Sequence, residues 1–509
     1  MSSLTNDDSS ASSSKQKFTI QQQMLLKHFE GLRFGYSTVQ RLPSFVLRSS
    51  RSISTSTDAD IYDVVCVGGG PAGLSLLTAL RAAESTSSLR IALVESRDLA
   101  ASFEWKLPDT QFSNRASSIT PKSKRFLDTI GAWGKLDLTR VSPYYGMQVW
   151  DGVSGSRIEF DWQDEAGSVQ DPVIAYMTEN DNLVRGLLSR LAEVGGTDII
   201  HGTNVDNISL GPQKQLDSGL DLSTWPHLRL SNGQQIAARL LIGADGPSSP
   251  VRSFADIGHL GWDYNRHGLV ATLQLSEEPE AKIAYQRFLP TGPAALLPLS
   301  GPYATLVWST TPENAAKLKR LSQDDFVSMV NAAFRLMPVD LAYMHGMPSG
   351  QQQELDWRIQ HTASAGQPYQ IPPLIQNVQA GSIASFPLRY GHANTYATHR
   401  IALLGDAAHT IHPLAGQGLN MGLGDVESLS NIIQDAVGHG QDIGDQLTLE
   451  RYNAERYEHN HRLLGVVDKL HKLYSFESGP IVSLRSLGLD AVNALTPLKS
   501  FLMRQAAGT

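Results

Sequence analysis

A short apolar run, Tyr62 to Val67, leads straight into Gly68-Gly69-Gly70-Pro71-Ala72-Gly73, and a helical pattern follows from Leu74 to Ala83. A second apolar run, Leu89 to Glu95, ends on an acid. No other feature restricts the fold as much. Strand, Gly-x-Gly-x-x-Gly turn, helix and second strand make a βαβ unit, which requires a parallel sheet with a helix against it. Each glycine has its own reason to be there. Gly68 permits the tight turn, Gly70 lets a pyrophosphate approach the backbone, and Gly73 lets helix and strand pack closely. Glu95 can accept hydrogen bonds from ribose hydroxyls, which favours the adenosine of FAD or NAD over a 2′-phosphorylated nucleotide.

Two more elements repeat the theme far along the chain. Leu240 to Ile242 is an apolar run followed by Gly243-Ala244-Asp245-Gly246-Pro247-Ser248-Ser249-Pro250-Val251-Arg252. Taken alone, it reads as a strand ending in a common Asp-Gly turn. Ile401 to Leu404 is another buried-strand run, and Gly405 to Asp425 follows it as GDAAHTIHPLAGQGLNMGLGD, opening a helix over Gly422 to Ala436. A glycine-rich loop entering a helix suits a phosphate-bearing cofactor, because free N–H groups and partial positive charge collect there. Asp406 can accept from a ribityl hydroxyl. Gly416 and Gly418 let a helix start point its N–H groups at a flavin pyrimidine edge, where the reduced ring is negative. His409 and His412 lack a third ligand at clear spacing, so no metal is expected. Asp425 reads as a solvated helix residue.

Composition narrows the class. The 509 residues carry a net charge of −8, which argues against a general nucleic-acid binder. The single cysteine, Cys66, lies inside an apolar strand run and can form neither an intrachain disulfide nor a cysteine metal site. No uninterrupted apolar stretch has transmembrane length. Residues 1–60 are rich in Ser and Thr. Between Met24 and Thr57, Lys27, Arg33, Arg41, Arg48 and Arg51 face one acid, Glu30, with Leu25, Leu26, Phe29 and Leu32 at helical spacing. This is the pattern of a mitochondrial transit peptide, with Asp7 and Asp8 as departures from it. The alternative is a plain disordered tail.

Between the nucleotide elements the patterning changes. Short strands are expected at Met147 to Val149, Arg157 to Trp162 and Val173 to Met177, as one small antiparallel sheet. Residues 262–310 alternate as a second β-rich layer. Gln323 to Arg335 reads as a helix, and 346–380 and Pro212 to Pro226 as aperiodic surface insertions. The expected division is a leader at 1–60, a cofactor domain at 61–142, 179–260 and 396–444, a substrate domain at 143–178 and 261–395, and a helical region at 445–509.

The three glycine-rich elements together resemble the class A flavoprotein monooxygenases. His412-Pro413-Leu414-Ala415-Gly416-Gln417-Gly418-x-Asn420-x-Gly422-x-x-Asp425 is similar to the signature of the ubiquinone-biosynthesis hydroxylases. Gln286-Arg287-Phe288-Leu289-Pro290-Thr291-Gly292-Pro293, Phe386-Pro387-Leu388, Glu179-Asn180 and Arg115 agree, while Tyr285 stands where Trp is expected. The leader and the insertions point to the mitochondrial branch, the coenzyme Q ring monooxygenases. The resemblance implies an α/β chain with a para-hydroxybenzoate-hydroxylase-like, Rossmann-type FAD domain interleaved with a β-sheet substrate domain, plus C-terminal helices. It places Gly68, Gly70, Gly73, Glu95 and Arg115 on the ADP half of FAD. Asp245, Gly246 and Asp406 fall on ribityl and pyrophosphate, and Gly416, Gln417, Gly418 and Asn420 along the isoalloxazine. It implies hydroxylation of a polyprenylated phenol at ring position five, by a flavin 4a-hydroperoxide formed from O2, with no protein nucleophile. Ferredoxin and ferredoxin reductase as electron source, a coenzyme Q biosynthetic complex, and peripheral attachment to the matrix side of the inner membrane are further implications. The residues alone leave two alternatives: a flavin oxidoreductase without oxygen insertion, and a flavin-binding scaffold subunit.

Overall fold

The fold rests on the run Val64-Val65-Cys66-Val67, whose side chains are buried on both faces, as a central parallel strand demands. In the computed structural model, which describes residues 59–161, 173–211, 221–361, 371–413, 416–476, 479–480, 482 and 484–488, Asp60–Val67 sits mid-sheet. It pairs in parallel with Gln235–Gly243 on one side and Ile91–Glu95 on the other. Thr197–His201 and Ile401–Leu403 extend the parallel set at its two ends. Val64 faces Leu240 and Ile91 in register. The sheet thus gathers strands from three distant stretches, each ending in one of the glycine-rich elements. The expected leader, 1–60, falls almost wholly outside the described residues, as do 212–220, Leu414, Ala415 and the chain beyond residue 488.

Helix α1, Pro71–Ala82, follows the first strand, with proline at its start where no N–H is needed. Helix α2, Gly418–Gly438, begins four residues earlier than its apolar pattern suggested. Helix α3, Gln446–Tyr474, is capped by the Asp445 carboxylate, which accepts from Leu447 N–H at 2.9 Å. α1 packs with α2 over the parallel sheet, where Gly405 and Gly422 leave room for Ala72 between them. One large apolar cluster joins these helices to the sheet.

A second, nine-stranded sheet is antiparallel except where Ile283–Leu289 runs parallel to Gly146–Asp151. Its long strand, His259–Leu275, pairs with Tyr303–Thr310 and Ala384–Ala393. Gln323–Arg335 is a helix as its periodicity indicates, and it buries Phe326, Met329, Val330 and Phe334 against that sheet. Two local expectations change. Arg157–Asp161 pairs with Gly146–Asp151, but Ala175–Glu179 joins Ala116–Ile119 and Ser142–Tyr144 in a separate three-stranded sheet. The aperiodic 346–380 stretch contains the helix Gln351–His361, with Leu355 in the core, and the strand Ile375–Val378 on the edge of the second sheet. Long-range partners fix both assignments, and local periodicity does not encode such partners.

Candidate active site

A cavity of about 600 Å³ lies where the three sheets meet. Gly70, Pro71 and Ala72 line it from the start of α1, and Gly416, Gln417, Gly418 and Leu419 from the start of α2. Neither helix start carries a side-chain cap. Two helix N-termini therefore bring uncapped N–H groups and partial positive charge to one space, which is an anion site built from backbone. Gly246 and Asp406 complete that wall, with Ala244, Leu404 and Gly405. Met147, Gln286, Ala295, Leu297, Val307 and Phe386 of the second sheet form the opposite wall, joined by Tyr144, Ile174 and Ala175 of the small sheet.

The remaining sequence-picked residues stand behind this surface. Gly68 holds φ +111°, a conformation that side chains rarely adopt, and a Cβ there would strike the Ala244 carbonyl. A Cβ on Gly73 would collide with the Gly68 carbonyl oxygen, whereas one on Gly70 would have open space around it. Glu95 is buried and accepts from the Gly69 N–H, the Arg97 N–H and the Arg97 side chain. Burial pushes its carboxyl up, but those N–H donors and the guanidinium outweigh this and hold it below the usual range. Arg115 is exposed and outside the cavity wall; its carbonyl accepts from Asn180 N–H at 2.9 Å. The Asn420 amide donates to Ser118 O at 2.8 Å and accepts from Thr120 N–H at 3.0 Å, tying α2 to the small sheet.

Asp245 and Asp406 behave differently from Glu95. Burial raises the Asp245 carboxyl, and its Ser249 and Val251 partners do not fully offset that. Its Oδ1 is buried without a hydrogen-bond partner among the described residues. Asp406 opens onto the cavity and its side chain is exposed there; the protein around its carboxyl raises it, with His409 opposing, and the exposure makes this a weak effect. An acid open to the cavity, two uncapped helix starts around it and an unpartnered carboxylate oxygen just behind its wall are polar groups with capacity for a ligand. FAD, with its hydroxyls, diphosphate and ring amides, matches that donor and acceptor set.

Asp425 corrects the sequence reading. It is not solvated but fully buried, and it accepts from Gly405 N–H (3.3 Å), His409 Nε2 (2.6 Å), Arg456 Nε (2.9 Å) and Asn460 Nδ2 (2.9 Å). Burial alone would lift its carboxyl, but His409 and Arg456 hold it low. Asp425 thus fixes the Gly405–His409 loop to α2 and α3. His409 is a partner in this ion pair, and among the described residues no group of three or more His, Cys, Asp or Glu is arranged to hold a metal. Sequence reasoning also missed Tyr144 and Ser118, whose hydroxyls lie 2.9 Å apart on the cavity wall. Neither belongs to a motif; only the pairing of distant strands brings them there.

Comparison with known proteins bears on the fold and the cofactor. An FAD binding domain model matches residues 61–345 and 373–466. The ubiquinone biosynthesis monooxygenase COQ6, mitochondrial, of Schizosaccharomyces pombe is 41% identical over 88% of this chain and 92% of its own. The Homo sapiens protein of that name is 39% identical over 89% and 93%. Among solved structures, p-nitrophenol 4-monooxygenase PnpA from Pseudomonas putida superposes with a TM-score of 0.61 at 17% identity, covering 88% of this chain and 98% of that one. The fold is that of the FAD-dependent aromatic hydroxylases. With an FAD binding domain model matched over most of its length and its relatives matched over most of both chains, the chain belongs to the mitochondrial ubiquinone biosynthesis monooxygenase COQ6 family.

Proposed function

We propose that this chain adds a hydroxyl group to ring position five of a polyprenylated hydroxybenzoate or phenol, inside the cavity between the parallel and antiparallel sheets. The chain is an FAD-dependent aromatic-ring monooxygenase of ubiquinone biosynthesis, and O2 is its co-substrate. The observation that carries the reading is the convergence of two uncapped helix N-termini and the Asp406 carboxylate on a cavity whose far wall is mostly apolar, with the buried, unpartnered Asp245 Oδ1 beside the lining residues Ala244 and Gly246. When bound, FAD supplies the activation of O2 and the transfer of one oxygen atom to an electron-rich ring.

The chain's own residues bind, orient and exclude water. In this reading the start of α1, with Gly68, Gly70 and Gly73 shaping its approach, takes the diphosphate. Glu95 and Arg115 flank the adenosine half, Asp245, Gly246 and Asp406 receive ribityl hydroxyls and phosphate-side groups, and Gly416, Gln417, Gly418 and Asn420 border the ring system. The start of α2 stabilises negative charge on the reduced ring. The second sheet covers the far side with Leu297, Val307 and Phe386, which keeps bulk water from the reacting centre.

The relatives are named as mitochondrial proteins, and this chain is mitochondrial too. Its attachment to the matrix side of the inner membrane would be peripheral; no described helix is long and apolar enough to cross a membrane. Electrons would come from NADPH through ferredoxin reductase and ferredoxin, and the enzyme would work within a coenzyme Q biosynthetic complex. Gene deletion tests the reading. Mass spectrometry should find a prenylated precursor lacking the ring-five hydroxyl, and normal ubiquinone in the deletion strain would refute the assignment.

A further inference from the structure

The apolar wall of the cavity contains one feature that an apolar wall does not need. In the second sheet, Gln286 faces Val149 on one side and Ala295 on the other, and Ala295 faces Val307. Residues opposite one another in register share a face. The row is therefore valine, glutamine, alanine, valine, and Gln286, Ala295 and Val307 all line the cavity. The next row, Met147, Ala284 and Leu297, packs with Tyr144. Gln286 is only 6% exposed, and its amide makes no hydrogen bond to any described residue. The neighbouring side chains on its strand serve the other face: Tyr285 packs into the core behind the sheet, and Arg287 donates to the Ala333 carbonyl at 2.9 Å.

An amide that opens onto the cavity from an apolar row, with no protein partner, offers its hydrogen-bonding capacity to a ligand, which valine or leucine in the same row would not. The amide is aimed into the space opposite Ile411, Pro413 and the start of α2. Across the small sheet the Tyr144 and Ser118 hydroxyls share one hydrogen bond, which leaves further donor and acceptor capacity at that end. Among the described residues no lysine, arginine or histidine lines the cavity, and the one acidic side chain that does, Asp406, belongs to the opposite wall. Recognition of an aromatic substrate at the apolar wall therefore falls to neutral groups.

We propose that Gln286 is the specificity-determining residue for the ring, hydrogen bonding the oxygen substituent of a phenolic substrate and so orienting it, with Tyr144 as its neutral neighbour. The proposal deepens the ring-hydroxylase reading and depends on it only for the identity of the substrate. An amide both donates and accepts, so it holds a phenolic hydroxyl without placing a charge beside the cofactor. Gln286 is a positioning residue: it sets which ring carbon faces the reacting centre.

The test compares binding of two probes to the FAD-loaded full chain, read by perturbation of flavin absorbance. One probe is a short-chain prenylated 4-hydroxybenzoate, and the other is the same molecule without the ring hydroxyl. Wild type should prefer the hydroxylated probe by about tenfold or more. Gln286→Leu should bind both alike, with unchanged FAD content and melting, and should form less hydroxylated product per O2 consumed. Gln286→Met provides a second, unbranched apolar replacement. Wild-type preference retained in either folded variant overturns the proposal, as does failure of both variants to hold FAD, which would make the amide a structural group. A wild type that discriminates between the probes yet hydroxylates neither would leave Gln286 as the recognition residue and remove the ring-hydroxylase reading.

Discussion

Asp406 and Asp425 sit at opposite ends of the same glycine-rich element, and they are carboxylates of opposite kinds. Asp425 is fully buried with four hydrogen-bonding partners, two of them cationic or able to become so. Asp406 is exposed to the cavity, and the protein around it raises its carboxyl, with the His409 charge opposing. The same contrast recurs between Glu95, which is satisfied and held low, and Asp245, which is raised with an orphaned oxygen. Satisfied acids hold the loops in place, whereas Asp245 and Asp406 keep acceptor capacity that the described residues do not use. A site that binds tightly keeps some polar groups unsatisfied in its own fold, at a cost to stability.

The sharpest way to break this contrast is Asp425→Ala. It leaves Arg456 buried without its counter-charge, and denaturant unfolding should show a loss of about 3–5 kcal/mol. Asp425→Asn should lose less. A stability loss below about 1 kcal/mol would mean that the ion pair is not the structural hub described here.

Two glycines of one motif separate the same two roles. Gly73→Ala forces a Cβ against the Gly68 carbonyl and should cost about 1–3 kcal/mol in the apoprotein. Gly70→Ala meets no atom, so the apoprotein should stay within about 0.5 kcal/mol of wild type while FAD retention on gel filtration falls. Equal stability losses in the two variants would contradict the assignment of packing to one and ligand approach to the other.

Asp406→Asn should weaken FAD about tenfold by equilibrium titration, through loss of a charged hydrogen-bond acceptor. Its apoprotein should melt near the wild-type temperature, because the side chain is exposed in the empty fold and its raised pKa carries little stability. A destabilised apoprotein with unchanged FAD affinity would reverse the roles of Asp406 and Asp425.

The smallest effect is in pH. Burial pushes His412 down to about 3, with His471 and Arg266 adding to it, and pushes His392 down to about 4. Their folded pKa values lie below the unfolded value of about 6.5, so the unfolded chain binds protons first as pH falls. Stability should therefore decline from about pH 6.5 toward pH 4. Asp425, held below its unfolded value, adds its loss only at lower pH, as pH falls through its folded pKa. His412→Gln should flatten the upper window by about 2 °C in a melting series between pH 7 and 5. An unchanged slope would show that His412 does not titrate with unfolding.

The distinction between the two kinds of acid was not legible in the sequence. Gly68, Gly70 and Gly73 announce themselves because a tight turn and a close approach are local demands, and the strand before them shows in four consecutive apolar residues. Asp425 looks like any polar helix position until Arg456 and Asn460 of α3 and His409 of the loop are seen around it. Ala175–Glu179 carries the alternation of a strand but no mark of which sheet it joins. Gln286 lies within a recognisable run, yet its direction into the cavity follows from the register Val149, Gln286, Ala295, Val307, which only strand pairing sets. Local steric requirements leave a trace in the sequence, whereas long-range partners do not.

The central claim is oxygen insertion into a phenolic ring at the cavity between the sheets. The most direct measurement supplies the FAD-loaded chain with ferredoxin, ferredoxin reductase, NADPH, 18O2 and a prenylated 4-hydroxybenzoate, and reads the product by mass spectrometry. The account predicts one 18O atom per product molecule, at ring position five. Consumption of 18O2 with hydrogen peroxide as the sole product and an unlabelled ring would contradict it.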